Sequence, residues 1–496
     1  MRQSPLWIRI CGLLAATCLS EGCRASRQIR DPEYAGVVNA TAQAPGIHAQ
    51  AAVPPVAPPL AGPQPVEVCI AYALAQNPDI QVARKRVEAA GERVPQAASL
   101  EDPTLSVMGY PFYPDVPQTA GGRATARIAA TQAIPWFGKL DTRAEMAEAE
   151  TEMARRELAA AELAVIEQVK RAYYELHYVQ KAIRITEDDK KLLIDLSKIA
   201  EVKYGTGTVS QQDVLRAQVE VSNLNSELIR LRQQLDSSQA RLAQLLHVSP
   251  ETPLRAAEEL PKEQAPHDLE QLYQQAVAAR PELQAQLAAI QRDRRSVDLA
   301  RLAYFPDPAL SVEWMGMTTS GALSPLADGV PDVGIGMMVN VPIYRKRLDA
   351  GVREAEAKTV ASARKYDSLR DQTVQEVKDL FVQATSQYEL IRLFRDDIIP
   401  KADQTLRVSM SAYEVGRVDF LQLIDNWRQL LRFQITYQRL ESQLQQTLAS
   451  LDRVVGGQLS LEGAEGAKRT PGPRPPTPEE PAPRQPAPGK PQPATP

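Results

Sequence analysis

Two periodicities alternate along this chain. Between Lys139 and about Tyr204 neither proline nor glycine occurs, and at 1.5 Å per residue an unbroken helix over that stretch would run roughly 95 Å. Downstream, Val214, Ala217, Val221, Leu224, Leu228, Leu231, Leu235, Ser238, Leu242 and Leu245 step by threes and fours without a break. That spacing is the seam of a coiled coil. The plan then returns. A long helix is predicted from Leu348 to Tyr413, kinked near its end by Pro400. A second stripe follows through Leu423, Leu430, Phe433, Tyr437, Leu440, Leu444 and Leu451. Shorter helices are expected over Val66–Ser99 and Leu269–Leu302.

Between the helices the period drops from 3.6 to two. Ala124, Ala126, Ile128, Ala130 and Ile134 alternate with Arg123, Thr125, Arg127 and Thr131. Leu105, Val107 and Gly109 alternate with Thr104, Ser106 and Met108, and Leu310, Val312 and Trp314 with Ser311 and Glu313. Val333, Ile335, Met337, Val339 and Val341 alternate with Gly334, Met338 and Asn340. Runs of about nine to twelve residues with one apolar and one polar face suit tilted transmembrane strands. Four strands cannot close a barrel around a pore, since eight is near the minimum, so a membrane barrel demands several chains. If Leu310 and Val339 face lipid, then Arg123, Arg127, Glu313, Met315, Met317 and Met338 face the lumen. Thioethers there could serve as soft ligands for monovalent copper or silver, or simply as adaptable filler. Trp136 and Trp314 read as interfacial anchors. The helical stripes alone would equally describe a periplasmic coiled-coil scaffold without a pore; the alternating strands speak against it.

The chain also repeats itself, about 205 residues on. Asp102-Pro103 returns as Asp307-Pro308 and Ile134-Pro135 as Val341-Pro342. Tyr204 with Gly207 returns as Tyr413 with Gly416, and Asn77-Pro78 as Arg280-Pro281. Four landmarks in one order describe two copies of a helix-strand-strand-helix unit, neither of which closes a core alone. The boundaries read as a signal peptide over 1–22, a flexible tether over 23–65, copies at 66–247 and 269–456 with a connector at 248–268, and a Pro-rich tail over 457–496.

Composition narrows the function. A net charge of -4 gives no electrostatic case for nucleic acid. The four histidines, at 48, 177, 247 and 267, make no metal-ligand pair at helical spacing, and no phosphate loop or nucleophile elbow occurs. No enzyme, metal site or cofactor is expected. Arg2 and Arg9 precede the apolar run Ile10–Leu19, too short to span a bilayer and typical of an export signal. Gly22-Cys23 fits lipidation at Cys23, with ordinary signal cleavage as the alternative. Cys69 reads as a small buried apolar residue.

These features together resemble the TolC-type outer membrane efflux proteins, from about Val66 to Gly456. The carrying motifs are Ala73-Leu74 with Asn77-Pro78, Asp102-Pro103, Ile134-Pro135-Trp136-Phe137-Gly138-Lys139, Ile399-Pro400 with Ala402, and Tyr413 with Gly416 before Leu423-Ile424-Asp425. The Trp136-Phe137-Gly138-Lys139 turn looks most like members paired with heavy-metal pumps. The resemblance implies a mainly α protein with a membrane β-barrel, in which a homotrimer closes one twelve-stranded barrel in outer membrane lipid. A long α-helical coiled-coil tunnel continues it across the periplasm. It further implies a periplasmic adaptor and an inner membrane pump as partners, in tripartite efflux or type I secretion. By the same resemblance the hairpins at Tyr204–Val214 and Tyr413–Asp425 form a gated tip. There Asp425 takes a constricting acidic position, though an Asp near a helix start is also simply well placed for solvent. Gln422 stands at the companion acidic position. Asp213 and Tyr413 match a closing link whose arginine is displaced by one, to Arg417.

Overall fold

The computed structural model describes Tyr34, Leu60 and residues 62–110, 117–260 and 268–457. The signal sequence, Cys23 and the residues after Gly457 lie outside them. Two tilts of the backbone dominate: helices that run far along one axis, and a small sheet at one end.

The first stretch is not the single helix the apolar spacing predicts but three, α1 (Val66–Gln76), α2 (Pro78–Gly91) and α3 (Arg93–Ala98). Pro78 disfavours the α conformation at Asn77 and has no N–H to continue a helix. Asn77 makes use of that break, accepting from Asp79 N at 2.9 Å while its Nδ2 donates to Leu245 O at 2.9 Å. The segment before it is ordered too. Strand β1 (Gly62–Gln64) pairs in parallel with a strand at Leu254–Ala256, so residues 62–64 of the segment read as a tether over 23–65 meet residues 254–256 of the connector read over 248–268.

Next come β2 (Thr104–Gly109), the short β3 (Gln118–Thr119) and β4 (Gly122–Ala133). Helix α4 (Lys139–Gly205) runs 67 residues without interruption, as the sequence predicts, and turns at Gly207 into α5 (Gln211–Leu246). Val214, Ala217, Leu224, Leu228, Leu231 and Leu242 of the seam are buried, chiefly against α4. After β5 (Leu254–Ala256) the second copy begins with α6 (Leu269–Ala279) and α7 (Pro281–Leu302), again split at its proline. Strands β6 (Pro308–Thr318) and β7 (Asp332–Val339) follow, then α8 (Arg345–Leu393), α9 (Ile399–Glu414) and α10 (Phe420–Val455). A π-turn, Phe394–Ile398, joins α8 to α9. Pro400 therefore does not break the helix at its own position. The wide turn lies just upstream and is closed by Ile399 N donating to Phe394 O.

Burial falls into separate clusters along the axis rather than one globular core. One packs α1, α2, α4, α5 and β5 around Tyr173, Leu176 and Leu246. Another lies at the hairpin ends, around Leu193, Leu196, Phe420, Leu423 and Trp427. A third joins α6, α8 and α10 through Leu272, Val377 and Leu451. Charged groups link the copies where these helices meet. Lys170 reaches Asp452 at 2.9 Å, and Arg453 bridges Glu167 at 3.1 Å and Glu282 at 3.4 Å. Cys69 is buried as expected, and burial pushes its thiol up to about 11.

Candidate functional site

Apart from the parallel pair β1-β5, the strands form one antiparallel sheet in the order β2-β4-β6-β7, with β3 beside β4. Directly paired residues share a face, so the register sorts the side chains. One face carries Leu105, Val107, Ile128, Val312, Trp314, Val333, Ile335 and Met337. Leu105, Val107, Val312, Val333, Ile335 and Met337 are exposed. The other face carries Ser106, Arg127, Glu313, Met315 and Met338, and there Arg127 pairs with Glu313 at 2.6 Å. A wall with one polar face and one apolar face whose large side chains are exposed among the described residues is what a barrel stave between lipid and water requires.

The register also corrects the strand reading. A bulge between Ala124 and Ala126 shifts the pairing, so Ala124 lies opposite Met317 and Arg123 opposite Thr318. Ala124 thus leaves the apolar face that its spacing predicts, and Arg123 falls out of step with Arg127, its guanidinium lying against Gly321. An extra residue in one strand flips everything beyond it. The methionines do not converge. Met315 lies opposite Arg127 and Asp332, Met317 is buried with Ala124 and Tyr110, and Met338 sits opposite Ala309 at the other end of β7.

Where strand becomes helix, the recurring motifs meet. Asp307 accepts from Lys139 Nζ at 2.6 Å and from Trp136 N at 2.8 Å, while the Trp136 ring stacks on Phe305 at 5.4 Å. Lys139 also donates to Phe305 O at 3.3 Å. The Asp-Pro of the second copy thereby holds the strand exit of the first.

At the opposite end the two hairpins lie side by side. Both turns use a glycine at positive φ, Gly207 and Gly416, a conformation costly for other residues. Tyr413 is buried against Phe420. Its hydroxyl finds no hydrogen-bond partner, and burial, with Asp213 nearby, pushes it up to about 12. Asp213 lies near Tyr413, and Arg417 is exposed and makes no ion pair, so among the described residues the three form no link. Asp425 is paired at 3.1 Å with Arg428, which also reaches Glu220 on α5. Gln422 donates its backbone N–H to the capping carboxylate of Asp419 at 2.8 Å.

Sequence reasoning missed the contacts that actually join the hairpins. Lys203 Nζ donates to Tyr413 O at 2.6 Å and Glu414 O at 2.8 Å, and lies 4.8 Å from the Tyr413 ring centre. Its targets are carbonyls, which leave no side-chain pattern to read, although a lysine near the negative end of a neighbouring helix is favourable. Trp427 Nε1 donates at 2.9 Å to Asp189 on α4. Burial pushes that carboxyl up to about 6, against the lowering effect of the indole hydrogen bond.

The family model described as outer membrane efflux protein matches residues 69–247 and 272–457. The cobalt-zinc-cadmium resistance protein CzcC of Cupriavidus metallidurans is 22% identical, covering 80% of this chain and 91% of that relative. The cation efflux system protein CusC of Escherichia coli K12 is 23% identical over 79% of this chain and 86% of its own length. Among solved structures, the outer membrane protein VceC of Vibrio cholerae superposes with a TM-score of 0.67 at 19% identity, covering 79% of this chain and 96% of that one.

Proposed function

The chain belongs to the outer membrane efflux protein family, and from that premise we propose that three copies close a twelve-stranded barrel in the outer membrane and continue it as a helical periplasmic tunnel. The observation that carries this reading is the sheet β2-β4-β6-β7, with one polar face and one apolar face whose large side chains are exposed among the described residues. Its outermost strands, β2 and β7, have no partner on their outer edges among the described residues, and hydrocarbon does not tolerate unpaired strand edges. A scaffold without a pore gives no account of that apolar face. The duct is passive: an inner membrane pump supplies the energy and a periplasmic adaptor docks at the hairpin tip.

The cargo class proposed is small metal cations. It rests on the resistance and cation efflux names carried by two relatives. Asp425 contributes an acidic position at the tip and Gln422 leaves its companion uncharged. Asp213 and Arg417, without an ion pair among the described residues, make their link between chains. The test is a strain lacking this chain, with cobalt, zinc and cadmium tolerance measured before and after it is restored. Restored tolerance with the intact chain and none with a truncated barrel supports the reading. Equal tolerance in all strains removes the cation assignment.

A further inference from the structure

The two helix hairpins turn on the same backbone but end their helices by different means. Helix α4 closes at Thr206 with φ -91° and ψ 4°, and α9 closes at Val415 with φ -91° and ψ 6°. The glycines that follow agree as well, with φ 73° at Gly207 and 75° at Gly416. A helix end leaves carbonyls without an intrahelical donor. In the first turn the local sequence supplies donors, since Thr206 Oγ1 donates to Lys203 O at 3.0 Å and Thr208 Oγ1 to the same carbonyl at 2.8 Å. The second turn has Val415 and Arg417 at those two positions. Valine carries no side-chain donor, and Arg417 gives its backbone N–H to Ala412 O at 2.8 Å, as Thr208 N does to Lys203 O at 2.9 Å. The hydroxyls have no counterpart.

The second turn is served from the first hairpin instead. Lys203 Nζ lies 2.6 Å from Tyr413 O, 2.8 Å from Glu414 O and 4.8 Å from the centre of the Tyr413 ring. An ammonium suits that place, because the carbonyls of a last turn carry the negative end of the helix dipole, and the ring face attracts a cation as well. The arrangement runs one way. The position at which Lys203 would recur in the second copy is Ala412, so the first hairpin is closed by its own residues and the second is closed by the first. Asp213 and Arg417 take no such part, as they form no link among the described residues.

We propose that Lys203 is the latch of the tip, holding the end of α9 to the end of α4 so that the two turns move as one body. This rests on the duct proposed above and names a residue that keeps its periplasmic end closed. Lys203 acts through the end of α9 and not on cargo, which makes it a positioning residue. The apolar packing beneath it, around Leu196, Phe420 and Leu423, does not include the ammonium. Release of the latch therefore frees the turn without unfolding the hairpins.

Amide hydrogen exchange of the full chain in detergent reads the latch without reference to a pore, and planar bilayers read the tip. Lys203→Met keeps the stem and removes the donor. It is expected to speed exchange at Gly416 and Arg417 several-fold while Gly207 and Thr208 keep their rates, and to raise single-channel conductance several-fold at an unchanged thermal midpoint. Lys203→Arg, which still donates, should restore both. Adding Val415→Thr to Lys203→Met gives the second turn the hydroxyl that the first turn has, and should slow its exchange again while conductance stays high. Either exchange or conductance unchanged in Lys203→Met overturns the latch. So does a conductance that falls back with Val415→Thr, because the defect is then a local cap and not a tie between hairpins. A thermal midpoint that drops with the donor assigns Lys203 to the fold and overturns it too. A parent chain that conducts nothing removes the duct, and the exchange rates still decide for or against the tie.

Discussion

The long helix of the first copy and its counterpart in the second come from one repeated unit but meet different surroundings. Helix α4 has twenty buried positions over 67 residues, because α5, α7 and α10 cover it. Helix α8 has six over 49, with Val360, Val382, Leu390 and Leu393 exposed. The proposed assembly accounts for the shortfall by a neighbour from another chain, and the sheet follows the same division, since β4 and β6 are paired on both sides while β2 and β7 are paired on one among the described residues.

The largest effect should come from charging the apolar sheet face. Ile128→Arg is expected to cost about 2–4 kcal/mol per chain at the bilayer midplane, multiplied by the copies in one barrel, and to abolish heat-modifiable oligomers in outer membrane fractions. Ser106→Arg, on the polar face, should assemble. Equal tolerance of both would break the assignment of faces.

Next is the contact that ties the first copy to the second. Trp427 is almost wholly buried, so Trp427→Ala should cost about 3–5 kcal/mol, read as a lower thermal midpoint in detergent. An unchanged midpoint would mean that the hairpins are held elsewhere.

Asp189 gives a smaller effect with a definite sign. Its carboxyl is raised from an ordinary 3.8 to about 6 in the folded chain, so the folded state binds the proton more tightly than the unfolded one. Stability is then favoured at low pH and falls as pH rises from about 4 to about 6. Asp189→Asn keeps an acceptor for Trp427 and should remove that slope, gaining about 1–2 kcal/mol at pH 7.5. A slope that survives the substitution assigns it to another group.

The smallest effect is at the tip. Exposed ion pairs are worth about 0.2–1 kcal/mol, so Asp213→Ala with Arg417→Ala should raise single-channel conductance in planar bilayers without disturbing assembly. Asp425→Ala should relieve block by multivalent cations from the periplasmic side. Unchanged conductance would leave closure to Lys203 and the packing around Trp427.

The long-range plan was legible because it is written in spacing. The seam from Val214 to Leu242, the unbroken α4 and the four strands all follow from apolar positions. The Asn77-Pro78 and Arg280-Pro281 landmarks were visible as repeats, yet their role as helix breaks was passed over in favour of the continuing apolar period. The bulge at Thr125 left no trace, since alanines on both sides suit either face. Strand β1 was hidden in an Ala- and Pro-rich stretch, and it depends on a partner about 190 residues away. The tip was the least legible. Lys203, Glu220, Trp427 and Arg428 matter there through contacts between copies, which no local pattern records.

In the proposed assembly the second copy's open side is covered by the first copy of another chain, in a closed ring of three. Multi-angle light scattering of the detergent-extracted protein tests it most directly, because it counts chains without reference to any residue. The account gives three chains per particle. A particle of one, two or four chains would contradict it.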